Sequence, residues 1–254
     1  TSKLMLSLEN SKGEGIVSMG AMTLAAGSGI YIMNDLTSGV DVNVVTASKI
    51  VIDADYESTS DGTLTVHNTK TVDSNVGPLT ITAWDLQLGT IGGLTSRGGS
   101  MSIHGAHPGQ TIGLGITPKD MYVSDAEFNK ITTSGGLVIG ANDNGSITVD
   151  GVAKTSNIAP VVTIRAQHDG ASVTFSGKAS TFNILAAQAD AEGVLYGEAY
   201  QIEMMRLLSK VNVDNNCVGW YRAANLGSFI DDKLIREMVS YQTTLPMSVL
   251  FVYD

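Results

Sequence analysis

Gly62-Thr-Leu-Thr-Val66, Gly77-Pro-Leu-Thr-Ile81 and Gly99-Ser-Met-Ser-Ile103 repeat one short phrase, a glycine followed by aliphatic residues alternating with Thr or Ser. The same phrase reads Gly20-Ala-Met-Thr-Leu24 near the start of the chain and Gly145-Ser-Ile-Thr-Val149 beyond its middle. A period of two puts Leu, Met, Ile and Val on one face of a strand and the hydroxyls on the other, and the glycines are expected to supply corners with positive φ. Strands this short are unstable alone, so they must stack. The starts of the phrase are 42, 15, 22 and 46 residues apart, in several cases near one or two multiples of about 20, the coil length of a stacked repeat. The expected fold is mainly β: an irregular, right-handed, β-solenoid-like repeat region over residues 1–190. An array of small β-sandwiches is the alternative.

Composition agrees with many short strands. Gly reaches 28 residues and aromatics only 6%, while the 43% hydrophobic content of the 254 residues suffices for one large β unit or two smaller domains. The formal charge of −10 is spread along the chain, which opposes phosphate-backbone binding, since that depends on clustered Lys and Arg. No direct nucleic-acid site is evident. Cys217 is the single cysteine, so an intrachain disulfide and a thiolate zinc site are both excluded. Residues 1–14 contain no apolar signal-peptide core, so such a peptide is absent or removed, and no run approaches the roughly 20 apolar residues of a membrane span.

Local clusters in the repeat region read more simply as structure than as chemistry. Asp53, Asp55, Glu57 and Asp61 could offer oxygens to calcium, but acids at a strand end and in the loop after it explain them. Asn142, Asp143 and Asn144 before Gly145 suit a tight turn that tolerates left-handed backbone. His104 and His107 share a loop without a third ligand nearby. No G-x-S-x-G elbow, phosphate loop or dinucleotide glycine pattern occurs. No cofactor is implied.

The periodicity changes near Gly193. Across residues 198–210, Ile202, Met204, Met205, Leu207 and Leu208 gather on one side of a helical projection, with Gln201, Glu203, Arg206, Ser209 and Lys210 opposite. Residues 217–221 read as a buried strand. Asp231 or Asp232 can cap a second helix carrying Leu234, Ile235, Met238 and Tyr241, and Pro246 precedes a last strand over residues 248–253. Residues 191–254 thus form a short α/β segment.

Two resemblances follow. Gly77-Pro-Leu-Thr-Ile-Thr-Ala-Trp-Asp-Leu-Gln-Leu-Gly89, Gln110-Thr-Ile-Gly-Leu-Gly115, Ser124-Asp-Ala-Glu-Phe128 and Gly145-Ser-Ile-Thr-Val-Asp-Gly151 resemble the degenerate repeats of haemagglutinin-like β-strand proteins over about residues 79–185. That implies a stacked β architecture of the adhesin kind at a cell surface or secreted. Tyr200-Gln-Ile-Glu-Met-Met-Arg-Leu-Leu208, Val218-Gly-Trp-Tyr221, Gly227-Ser-Phe229 and Ser240-Tyr-Gln242 closely resemble the h-subunit family of eukaryotic translation initiation factor 3, a metal-free branch of the MPN family. This second resemblance covers about residues 196–254.

Catalytic MPN members carry two zinc-binding histidines in H-x-H-P directly after the Gly-Trp-Tyr strand, with a serine and an aspartate downstream. Arg222 and Ala224 stand at the histidine positions here and Ile235 at that of the aspartate, and none can hold zinc. Without the metal, isopeptide hydrolysis has no chemical basis. The implied protein is not an enzyme but a cytoplasmic scaffold of translation initiation, with the other initiation factor 3 subunits and the small ribosomal subunit as partners. Trp220, Tyr221, Gly227, Phe229 and Tyr241 would be fold residues. The partial MPN-like segment, ending just after the apolar residues 249–253, makes the chain read as a fragment, a fusion or a gene-prediction artefact.

Overall fold

The structure is a computed structural model and describes residues 5–39, 48–153, 155, 158, 161–190, 194–196, 219–223 and 249–253. The chain divides into two compact units, Thr1–Tyr200 and Gln201–Asp254.

In the first unit the strands form four parallel sheets, and the first four circuits visit three of them in rotation. The opening circuit is β1 (Leu6–Leu8), β2 (Ile16–Ser18) and β3 (Met22–Ala25), and the second is β4 (Ile30–Ile32), β5 (Leu36–Ser38) and β6 (Ile50–Asp53). The third is β7 (Thr63–Val66), β8 (Lys70–Asp73) and β9 (Leu79–Ala83), and the fourth is β10 (Asp85–Leu88), β11 (Gly92–Arg97) and β12 (Met101–Gly105). A longer fifth circuit holds β13 (Ile112–Gly115), β14 (Met121–Ser124), the one-turn helix α1 (Asp125–Phe128), β15 (Ile131–Thr133) and β16 (Leu137–Ala141). Then follow β17 (Ile147–Asp150), β18 (Val162–Ala166), β19 (Val173–Phe175), β20 (Leu185–Ala189) and β21 (Val194–Tyr196).

Sheet A runs β1-β4-β7-β10, sheet B β2-β5-β8-β11-β15, sheet C β3-β6-β9-β12-β16-β18-β20, and sheet D β14-β13-β17-β19-β21. Every pairing among the described residues is parallel.

The core forms because inward positions align from circuit to circuit. In sheet C, Leu24, Ile52, Ile81, Ile103, Ile139, Ile164 and Ala187 make one continuous register column. Ile52, Ile81, Ile103, Ile139 and Ile164 are fully buried. Burying each such side chain contributes about 1.5–3 kcal/mol, and the β-branched shape suits a pleated surface.

Two expectations change. The glycine phrase does not mark one point per circuit: Gly20, Gly77 and Gly99 precede sheet C strands, whereas Gly62 precedes β7 of sheet A and Gly145 precedes β17 of sheet D. Its irregular spacing follows, since it opens strands on more than one face. Nor do these five glycines adopt positive φ. Four of them are required by close approach instead: a Cβ would strike the carbonyl oxygen of Ala54 at Gly62, of Ser48 at Gly77, of Gly77 at Gly99, and of Gly109 at Gly145.

Buried hydroxyls close the corner between sheets B and C. Ser74 donates to the Gly77 carbonyl at 2.6 Å and Ser96 to the Gly99 carbonyl at 2.6 Å. Thr133 donates to that same Gly99 oxygen at 2.9 Å. Carbonyls that cannot join a ladder at a bend are satisfied there by side chains.

In the second unit, β22 (Gly219–Ala223) pairs in parallel with β23 (Val249–Tyr253). The strand read at residues 217–221 coincides with β22 over residues 219–221, and residues 217 and 218 lie outside the described residues. The helices read at residues 198–210 and after Asp232 lie outside the described residues.

Candidate functional site

Residues singled out in the second unit fall unevenly on what the structure describes. Trp220, Tyr221 and Arg222 lie in β22 opposite Leu250, Phe251 and Val252 of β23. Ala224, Gly227, Phe229, Ile235 and Tyr241 lie outside the described residues.

In the first unit, the chemistry-bearing side chains gather where the fifth circuit departs from the others. β13 and β14 lie side by side, Ile112 opposite Met121, so this circuit places two strands where others place one. The second of them, β14, comes to lie beside β10. No backbone ladder joins these two neighbours, and sheet A ends at β10 where sheet D begins.

Charged side chains replace the ladder. Asp85 accepts the Tyr122 N–H at 2.9 Å, Glu127 accepts the Leu88 N–H at 3.1 Å, and the Lys130 ammonium donates to the Leu88 carbonyl at 3.0 Å. Burial pushes the Asp85 carboxyl above its ordinary range, against the opposing effect of the Tyr122 and Leu86 N–H groups. Glu127 is held by a capping box: Ser124 accepts the Glu127 N–H at 3.3 Å, and the Glu127 carboxylate accepts the Ser124 N–H at 2.9 Å. The Ser-x-x-Glu spacing of residues 124–127 was the available sequence signal for α1.

The acidic loop after β6 is organised from within. Asp55 is buried and accepts the Thr59 and Ser60 N–H groups at 3.1 and 3.0 Å, while Asp61 accepts the Thr59 hydroxyl at 2.8 Å. Asp53 instead sits on the outer face of sheet C, in register with Thr82, which faces His104 of the next circuit. The Thr82 hydroxyl lies 3.4 Å from His104 Nε2. Burial raises the Asp53 carboxyl and the neighbouring Asp55 carboxylate adds to this, while the Asp55 N–H and His104 lower it. His107 is engaged separately, with Nδ1 2.6 Å from the Pro108 carbonyl. Among the described residues, no group of three or more His, Cys, Asp or Glu could hold a metal ion.

Asn144 corrects the turn reading of residues 142–144. None of the three adopts positive φ; Asn142 and Asp143 are exposed, but Asn144 is fully buried. Its Oδ1 accepts the Gly105 N–H at 3.0 Å and its amide donates to the Gly105 carbonyl at 3.3 Å. Buried Gln110 continues this lining: its Oε1 accepts the Ala106 N–H at 2.8 Å, and its Nε2 donates to the Trp84 carbonyl at 2.6 Å. These amides tie successive circuits together from inside, a role that nothing in their local sequence announces.

With this geometry in place, comparison with known proteins adds one likeness. No family model matches the chain, and no solved structure matches it. The h-subunit of eukaryotic translation initiation factor 3 from Arabidopsis thaliana is 48% identical over 58 residues, 23% of this chain and 17% of that protein. Its Bombyx mori counterpart is 46% identical over 57 residues, covering 22% of this chain and 17% of that protein. For the Emericella nidulans counterpart the match is 33% over 124 residues, 48% of this chain and 30% of that protein. The chain therefore spans under a third of the length of these relatives. A match of 124 residues exceeds the Gln201–Asp254 unit, so it also takes in part of the β-rich unit. The haemagglutinin-like repeats find no counterpart among these matches. Among the described residues, no helix is long and apolar enough to cross a membrane.

Proposed function

We propose that this chain acts in translation initiation as a non-catalytic scaffold of the h-subunit type, in the cytoplasm, through contacts with other initiation factor 3 subunits and with the small ribosomal subunit. The observation that carries this reading is the 48% identity over 58 residues to the plant h-subunit. The residues around Trp220, Tyr221 and Arg222 belong to an MPN-like segment on this reading, with Arg222 and Ala224 at positions where a zinc-dependent member needs imidazoles. An arginine side chain and a methyl group supply no metal ligand, hence no activated water.

The first unit serves on this reading as a right-handed β-solenoid that presents a rigid surface. Its support is the passage of the first four circuits through sheets A, B and C in turn, with inward aliphatic residues aligned from circuit to circuit. A second reading, a cell-surface or secreted adhesive repeat protein, is favoured by the Thr and Ser that line the outer side of sheet C at Thr23, Thr80, Ser102 and Thr163.

Affinity purification of the tagged chain from eukaryotic cells separates the two. The scaffold reading expects co-purification of initiation factor 3 subunits, lost when residues 201–254 are deleted. Recovery from the medium or cell surface without those subunits would replace it by the adhesive reading.

A further inference from the structure

Asn144-Gly145 is the one Asn-Gly pair in the chain. In such a pair the asparagine amide is open to attack by the next backbone nitrogen, because glycine has no side chain to obstruct the approach and its backbone reaches the required angles freely. The Gly145 nitrogen, on losing its proton, bonds to Asn144 Cγ; the Cγ–Nδ2 bond breaks, and ammonia leaves with that proton. Water then opens the five-membered imide at either carbonyl, giving aspartate or isoaspartate.

The fold holds every participant in this reaction. Asn144 is fully buried, and its amide is engaged across the stack, with Oδ1 accepting the Gly105 N–H at 3.0 Å and Nδ2 donating to the Gly105 carbonyl at 3.3 Å. The attacking Gly145 N–H is itself donated to the Gln110 carbonyl at 2.9 Å. On either side, the Asp143 carbonyl accepts the Gly109 N–H at 2.8 Å and the Asn144 carbonyl accepts the His168 N–H at 3.2 Å. Residues 143–145 are thus pinned both to the circuit before them and to the one after. Packing also demands both members of the pair. A Cβ at Gly145 would strike the Gly109 carbonyl oxygen, and Asn144 must offer an acceptor and a donor to the two sides of Gly105. The reactive dipeptide is imposed by the stack and shielded by it.

We propose that Asn144-Gly145 is a conformation-gated modification site, inert while the turn between β16 and β17 is closed and deamidated once it opens, so that unfolding of the first unit becomes irreversible. Both products oppose refolding. Aspartate sets a buried carboxylate against the Gly105 carbonyl, an acceptor where a donor is needed. Isoaspartate adds a carbon to a backbone that three hydrogen bonds pin in place. The proposal rests on residues of the first unit alone and is independent of both the scaffold and the adhesive readings.

The test is peptide mapping by mass spectrometry of the full chain, kept folded or in denaturant at the same mildly alkaline pH, which promotes loss of the Gly145 proton. Modification at residue 144 is expected to run at least about tenfold faster in denaturant. In the folded chain, Ile103→Ala weakens the stack without altering either residue of the pair, and it is expected to raise the rate by about tenfold or more, because the reaction follows opening. After dilution from denaturant, chains modified at residue 144 are expected to be depleted from the folded fraction relative to unmodified chains of the same sample. Equal rates in the folded and denatured chain, a rate indifferent to Ile103→Ala, or modified chains refolding in proportion to unmodified ones would overturn the assignment.

Discussion

Sheet C and the opposite face, built from sheets A and D, are made by the same circuits, yet only one of them is continuous. Sheet C pairs seven strands from β3 to β20, and its central five fill their inner columns with buried aliphatic residues. On the opposite face the backbone ladder stops after β10 and resumes at β14, and Asp85, Glu127 and Lys130 bridge the gap. The difference follows from one insertion. Sheets B and C absorb the long fifth circuit with one strand each, while the opposite face receives both β13 and β14. Regular stacking rests on apolar burial, and the irregular seam on a few polar side chains that stand in for backbone partners.

The sharpest way to break this contrast is to open the continuous side. Ile103→Ala, in the fully buried isoleucine column, is expected to destabilise the first unit by about 2–5 kcal/mol, read from denaturant unfolding. A cost under about 1 kcal/mol would mean that the column is loosely packed.

Asn144→Ala removes both bonds to Gly105 and leaves buried backbone groups unsatisfied, an expected loss of about 1–3 kcal/mol. Asn144→Asp should not rescue it, because a carboxylate cannot donate to the Gly105 carbonyl. Equal stability of the Asp variant and the parent at neutral pH would remove the amide ladder from the account.

At the seam, Glu127→Ala dismantles the capping box and frees the Leu88 N–H, with an expected loss of about 1–2 kcal/mol. Hydrogen exchange should show the Leu88 amide opening before that of Ile103. The reverse order would place the weak point elsewhere.

The smallest effect is also the most specific. Burial raises the Asp85 carboxyl above its ordinary 3.8, so between that value and the raised one the folded chain holds more protons than the unfolded chain. Stability contributed by this group is therefore present at low pH and is lost as pH rises through the raised value. Asp85→Asn keeps an oxygen to accept the Tyr122 N–H and should flatten this dependence, leaving the part due to Asp53, whose carboxyl is raised in the same direction. An unchanged pH profile of the unfolding midpoint in the variant would sink the assignment.

Alternation in Gly77-Pro-Leu-Thr-Ile81 and Gly99-Ser-Met-Ser-Ile103 is local, and it suffices to fix which side chains face inward: Leu79, Ile81, Met101 and Ile103 are all buried. Residues 219–223 and 249–253 likewise carry enough apolar β-formers to be legible as strands, within two residues of their observed bounds. Which strands pair was not legible. Pairing joins positions such as Ile112 and Ile147, or Met101 and Leu137, whose separation depends on the length of everything between them, and no local pattern encodes it. For that reason only the tertiary structure decided that β13 is an added strand and that Asn144 turns inward.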